Sequence, residues 1–394
     1  MIIAGGALTL AGCGASGGPV RPASTSSAPI ASARATACRA RQDRPQPGWQ
    51  GPNALTGVQF VSPTHGWVVG LRQILATSDG GRHWAVQDSG SLGLMSVDFV
   101  DGEHGWAAGV RTLLRTSDGG RRWTALAEPC PAIRQVTFVS QSVGFAVAGG
   151  TALFGETYPA VPLHGGVLLG TTDGGRRWTR LAAPAGAQSV CFDTASNGWL
   201  GAGGALYLTT DGGRSWQPTS VRVRPPSPGF PGFLLVRCAG RDAAWAMAVG
   251  PGAAMNQQPH IGYHAGPGGT RPVFAEQYFP HPGVRIAVNS PGSYPGAVSA
   301  ISPAVAAFVD YCPACGYGTV PWALASGAGR ELGHPGTVAG LTSPADASFV
   351  SPQAGWVVGT LTRYPRHGKP VSYPRIVSTA DGGRTWQVDY PGAP

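Results

Sequence analysis

"TSDGGRHW" occupies Thr77–Trp84, and four near-copies follow: "TSDGGRRW" at Thr116–Trp123, "TTDGGRRW" at Thr171–Trp178, "TTDGGRSW" at Thr209–Trp216 and "TADGGRTW" at Thr379–Trp386. Only 12% of the residues are charged, yet an Asp stands at the same place in all five copies. Catalysis needs an acid once or twice, so five copies describe a structural part made repeatedly. A hydroxyl and a carboxylate two residues apart can cap the backbone N–H groups of a tight turn. The second Gly allows a backbone conformation that a Cβ penalises. Asp79, Asp118, Asp173, Asp211 and Asp381 are therefore read as turn builders, and Trp84, Trp123, Trp178, Trp216 and Trp386 as packing residues aimed into a blade interface.

The octapeptides end a longer unit. "VQFVSPTHGWVVG" (Val58–Gly70) precedes the first and "VDFVDGEHGWAAG" (Val97–Gly109) the second, and five looser versions follow. In the first five units an aromatic follows the opening Val by nine residues: Trp67, Trp106, Phe145, Trp199 and Trp245. Trp356 holds that offset from Ala347, whereas the sixth unit has Ala307 there, with Phe308 beside it. Each unit reads as four short strands separated by turn residues. In the first unit these are expected at Gly57–Ser62, Gly66–Leu71, Ile74–Ser78 and His83–Gln87. Repeats of this length with four strands predict an all-β, seven-bladed β-propeller of four-stranded antiparallel blades, with the octapeptide on each third-to-fourth-strand hairpin. Ten of the twelve Trp fall at two repeat positions and are expected to fill the interfaces between blades.

The octapeptide resembles the Asp box, or BNR repeat, Ser/Thr-x-Asp-x-Gly-x-x-Trp. The combined unit is similar to the BNR propellers of the photosystem II stability/assembly factor family, and more distantly to sialidase and sortilin-type propellers. The resemblance spans about residues 55–390 and departs in two blades, where Pro267 and Gly327 stand at the Asp position. It implies a fold strongly and a function weakly, because these families do unrelated things.

Composition sets further bounds. Gly 61 and Pro 36 leave little room for long amphipathic helices, and the +9 charge is almost all arginine, Lys369 being the only lysine. "LTLAGC" ends in Leu10-Ala11-Gly12-Cys13, which resembles the lipobox of bacterial lipoproteins, without the usual basic n-region. Residues 1–12 are thus expected to be a signal peptide with its true start upstream, and Cys13 the lipidated residue of an extracytoplasmic protein held at the cell membrane. Residues 13–50, rich in Ala, Ser, Pro and Arg, read as a flexible tether, and 51–394 as the propeller. Six cysteines remain as disulfide candidates: Cys38, Cys130, Cys191, Cys238, Cys312 and Cys315. They allow fifteen pairings in an oxidising compartment. Cys312-Pro-Ala-Cys315 is read as a local structural disulfide, because no second CxxC or βαβ context accompanies it.

Insertions concentrate in the loops opposite the octapeptide hairpins: Phe154–Gly166, Pro251–Gly269, Tyr311–Pro321 and Leu361–Arg375. Loops on a rigid scaffold carry function. Tyr158, His164, His260, Tyr263, His264, Tyr311, Tyr317, Tyr364, Arg366, His367, Lys369, Tyr373 and Arg375 are the candidate ligand-binding rim, since Tyr and Arg suit binding surfaces. No metal site is expected, because His260, His264 and His367 come with neither a carboxylate nor metal-ligand spacing. No cofactor motif occurs. The expectation is a monomeric, non-enzymatic module that binds a protein or envelope glycan and assists assembly of a membrane complex, with nucleic acid disfavoured by the address. The alternative is a sialidase-like glycoside hydrolase. Fourteen acids lie outside the octapeptides, and only Glu156, Glu276 and Asp310 fall near the rim, so a carboxylate pair is not evident.

Overall fold

Alternation of apolar residues with turn chemistry yields strands throughout. The computed structural model describes residues 53–149, 166–222, 233–240, 242–250, 257–276, 289–313, 315 and 319–393. Among these, strands form seven antiparallel sheets and no helix occurs. The first blade runs Leu55–Phe60, Gly66–Gly70, Gln73–Thr77 and Ala85–Ser89, each strand within two or three residues of its expected start and end. Six sheets have four strands in chain order. The sixth blade gains Gly336–Thr337 as a fifth, paired to Pro321–Ser326. Each sheet is a blade of a propeller whose innermost strands are Leu55–Phe60, Leu94–Phe99, Ile133–Phe138, Ala187–Phe192, Phe233–Cys238, Tyr294–Ser302 and Ser343–Phe349.

A repeated aromatic trio joins the blades. Trp67 of blade one stacks on Phe99 of blade two at 3.5 Å between ring centroids, and Trp123 of blade two meets that Phe edge-on at 5.9 Å. Trp106, Phe138 and Trp178 repeat the arrangement, as do Phe145, Phe192 and Trp216, and Trp356, Phe60 and Trp84. Each ring pair adds about 0.5–1.5 kcal/mol to the area it buries. Only the second-strand Trp is fully enclosed; the octapeptide Trp is half-buried. The Gly opening each second strand leaves room for the Phe. A Cβ on Gly105 would sit 2.5 Å from the Phe99 ring, and Gly66, Gly144, Gly198 and Gly355 repeat the approach.

Blade six shows how a lost aromatic is replaced. Ala307 stands at the Trp position and is buried, while Phe308 points to the other face, against Phe274 and Trp245 of blade five. The gap toward blade seven is filled by Trp322, from the third strand, which stacks on Phe349 at 5.5 Å and meets Trp386 edge-on at 5.6 Å. Val309 pairs with Trp322 and Ala307 with Leu324, so Trp322 lies diagonally beside the vacated position.

The central edge of a propeller exposes backbone donors and acceptors that no further strand pairs. Side chains of adjacent innermost strands bond them here. Gln59 accepts from the Phe99 N–H and donates to the Phe99 carbonyl; Asp98 accepts from Phe138 N–H at 2.6 Å; Gln135 accepts from Val190 N–H and donates to its carbonyl. Ser189 accepts from Val236 N–H, Ser299 from Phe349 N–H, and Asp346 and Ser348 from Val58 and Phe60 N–H. Cys191–Cys238 adds a covalent link between the innermost strands of blades four and five.

Candidate functional site

Chain direction in an antiparallel blade puts the octapeptide hairpin on the same face as the first-to-second-strand turn. Backbone bonds join the two: Gly80 N–H donates to Thr64 O, Gly119 to Glu103, Gly174 to Ser142, Gly212 to Ser196 and Gly382 to Gln353. Within the hairpin, Thr77 Oγ1 accepts from Gly81 N–H at 2.9 Å and donates to Asp79 Oδ1, which accepts from His83 N–H at 3.0 Å. The other four copies repeat these bonds around Asp118, Asp173, Asp211 and Asp381. Hydrogen bonds from Ser215 and Thr385 hold Asp211 and Asp381 down to about 2, and His83 holds Asp79 below the usual carboxylate range. Such groups are fixed anions in turns rather than proton-transfer groups. Arg82, Arg121, Arg122, Arg176, Arg177, Arg214 and Arg384 project from this face and are exposed. Two of them bond back to their own turn, Arg176 to Asp173 O and Arg214 to Asp211 O.

The opposite face carries the loops. Among the described residues, blade seven contributes its longest hairpin, Gly355–Arg363 paired with Val371–Thr379 through Arg363↔Val371, whereas Gly66–Gly70 and Gln73–Thr77 of blade one have five residues each. Tyr364, Arg366, His367 and Lys369 are exposed at its tip. Behind them the Arg363 guanidinium lies over the Tyr373 ring at 5.4 Å, a cation–π contact. Burial and the Arg363 charge lower the pKa of Arg375, which is half-buried in the third strand. Tyr311 is half-buried against Tyr294, with ring centroids 6.0 Å apart. Cys312 and Cys315 form a disulfide in the adjoining loop of blade six.

Three rim expectations need correction. Pro251–Gly269 is not one insertion, because His260–Gly266 is the third strand of blade five and Gly266–Gly269 closes its hairpin. His260 and Tyr263 are consequently buried, since their positions pack between blades. His264 lies near the hairpin face, where its Nε2 bonds Pro303 O at 2.9 Å. Four residues of strand separate His260 from His264 by about 13 Å, so the two do not converge on one ion with His367. Tyr158, His164, Tyr317, Glu156, Cys13 and Cys38, together with the signal and tether segments, lie outside the described residues.

His260 belongs to a buried polar cluster between blades five and six. Its Nδ1 bonds Gln258 O at 2.7 Å and its Nε2 bonds Asp310 Oδ2 at 3.2 Å, with both side chains fully enclosed. Burial opposes the imidazolium, but Asp310, Gln258 and Glu276 outweigh it and raise the His260 pKa. Asp310 Oδ2 also accepts from Gly292 N–H at 3.1 Å, tying the connector between the blades to this pair. Glu276 is buried too. Of the three acids near the rim, two are therefore structural groups rather than cleft carboxylates.

The channel residues were missed in the sequence. Arg237 NH2 lies 3.8 Å from Asp346 Oδ1, joining blades five and seven across the centre, and burial pushes Asp98 up to about 7. The available signal was polar residues beside the opening Val, at Gln59, Asp98, Gln135, Ser189, Arg237 and Ser299, and beside Ala347 in the seventh unit, at Asp346 and Ser348.

Residues 90–223 match the family described as photosynthesis system II assembly factor YCF48. That match covers blades two to four, 134 of the 394 residues. The chain is a BNR-type seven-bladed propeller similar to the YCF48 family. No curated protein matches it. Among solved structures, YCF48 bound to a D1 peptide is 15% identical across 89% of this chain and 87% of that one, with a TM-score of 0.39. The GH74 enzyme of Niastella koreensis is 10% identical, covers 86% of this chain and 66% of its own, and has a TM-score of 0.54. The WD40 repeats of RRP9 are 10% identical over 80% of this chain and 90% of that one, at a TM-score of 0.52. At such identities the BNR-type propeller shares a fold with the GH74 enzyme and the RRP9 repeats, and no activity follows.

Proposed function

We propose that this propeller is a non-enzymatic scaffold that binds a protein or envelope ligand on its loop face and assists assembly of a membrane complex. The observation that carries the reading is the blade-seven hairpin, which sets Arg363, Tyr364, Arg366, His367 and Lys369 at the surface without a carboxylate anywhere in Leu361–Arg375. A rigid ring beneath it keeps this arm in place, and a basic, aromatic arm suits a partner with acidic groups. The match of blades two to four to an assembly-factor family supports the same role. We further propose that Cys13 carries a lipid, that residues 13–50 tether the ring, and that the monomer works outside the cytoplasm.

The test is crosslinking and affinity recovery from membranes, with wild type beside an Arg363→Glu, Arg366→Glu, Lys369→Glu variant. These exposed sites lie outside the blade interfaces, so folding should persist. A partner recovered by wild type and lost by the variant is expected. Equal recovery by both would remove the loop face from consideration. Turnover of fluorogenic glycosides by wild type, abolished by Glu156→Gln, would establish a hydrolase instead.

A further inference from the structure

Two disulfides that join described cysteines sit in opposite settings. Cys191–Cys238 spans 47 residues and joins two innermost strands, with Cys191 buried. Cys312–Cys315 spans three residues within one loop, with Cys312 buried and Cys315 exposed. The loop is already closed without it, because Cys312 N–H donates to Thr319 O and Thr319 N–H donates back to Cys312 O. A cross-link over three residues removes little freedom from the unfolded chain, since loop-closure entropy grows with length. The bond therefore does little that the backbone pairing does not. What it does provide is a disulfide between one exposed and one buried cysteine.

We infer that Cys312–Cys315 is a thiol–disulfide exchange site for cysteine-bearing proteins that reach the loop face, with Cys315 Sγ the atom attacked. Access decides which sulfur is attacked, and exposed disulfides are the exchangeable ones. A client thiolate attacks Cys315 Sγ, forming a client–Cys315 bond. The Cys312–Cys315 bond breaks, and its electron pair leaves on Cys312, which takes a proton from solvent. A second client thiolate then attacks the client sulfur of the mixed disulfide, and Cys315 departs as thiolate. The client gains a disulfide and the pair becomes a dithiol. A low-molecular-weight disulfide of the glutathione class returns it to the oxidised form. The inference does not depend on what the basic hairpin binds.

The oxidised full chain is incubated with reduced glutathione, quenched in acid, alkylated and mapped by mass spectrometry. The expected product carries glutathione on Cys315 and alkylation on Cys312, formed at least about tenfold faster than any opening of Cys191–Cys238. Cys312→Ala should still take glutathione at Cys315 from glutathione disulfide, and Cys315→Ala should take none at Cys312. Opening of the pair should lower the melting temperature less than loss of Cys191–Cys238 does. Adduct on Cys312, or a pair as resistant as Cys191–Cys238, would overturn the assignment. So would a melting temperature that falls as far on opening Cys312–Cys315 as on opening the inter-blade bond.

Discussion

The indole N–H of Trp356, in blade seven, donates to the carbonyl oxygen of Gly80, in blade one, at 3.0 Å. The same bond joins Trp67 to Gly119 and Trp106 to Gly174 at neighbouring interfaces. Closure thus reuses the ordinary blade contact, and among the described residues no strand is exchanged between the ends of the ring. Trp356→Phe keeps most of the stack on Phe60 and removes the donor, for an expected loss of about 1 kcal/mol. Trp356→Ala removes the stack as well, for about 3–5 kcal/mol. Equilibrium denaturation in urea distinguishes the two, and equal losses would mean that packing contributes nothing to closure.

Trp322 and Ala307 are expected to behave as a compensating pair. Trp322→Ala should cost about 3–5 kcal/mol, as for a repeat-position Trp, although Trp322 lies outside the repeat pattern. Ala307→Trp alone should also destabilise, by about 1–3 kcal/mol, because Trp322 already fills the space. The double variant Ala307→Trp, Trp322→Ala should be more stable than the sum of the single losses. Strict additivity in denaturation would show that the two side chains do not share one volume.

Stability should fall as pH rises through neutrality. Burial pushes Asp98 to about 7, and burial with the nearby Asp79 charge pushes Asp389 to about 6, whereas unfolded Asp titrates near about 4. Between those limits the folded chain binds more protons than the unfolded one, so stability declines with rising pH. His260 acts in the same sense, because its raised pKa gives stability below about 6.5 that is lost as pH climbs through the folded value. Asp211 and Asp381, held near about 2, contribute above pH ~4 and lose that contribution as pH falls. The melting temperature should therefore peak near pH 4–5. Asp98→Asn should flatten the decline toward pH 8, and an unchanged slope in that variant would exclude Asp98 as its source.

Loss of the inter-blade disulfide should be costly. Closing a 47-residue span stabilises by about 3–4 kcal/mol through the unfolded chain. The paired variant Cys191→Ala, Cys238→Ala should lose that amount while the other blade interfaces persist. Calorimetry that resolves a separate, earlier transition for blades four and five would instead make the bond a hinge between two cooperative units.

The repeat determined most of this molecule at the level of sequence. Five octapeptides, the Val-to-aromatic offset and the turn residues name seven blades and their strands, because a turn bonded by Thr77, Asp79 and Gly81 is built from residues within five positions. Such local chemistry leaves its signature in local spacing. Tertiary structure decided what depends on distant residues meeting. Trp322 replaces the aromatic missing at Ala307 because a neighbouring strand brings it diagonally alongside, and nothing in its own spacing says so. His260 lies inside rather than on the rim because its strand starts earlier than its Pro- and Gly-rich flanks suggest, which places it against Asp310 fifty residues away. The channel side chains are legible only as scattered polar residues until ring closure sets each beside the unpaired backbone of the next blade. Short-range hydrogen bonding fixed the part, and long-range packing fixed what each exception is for.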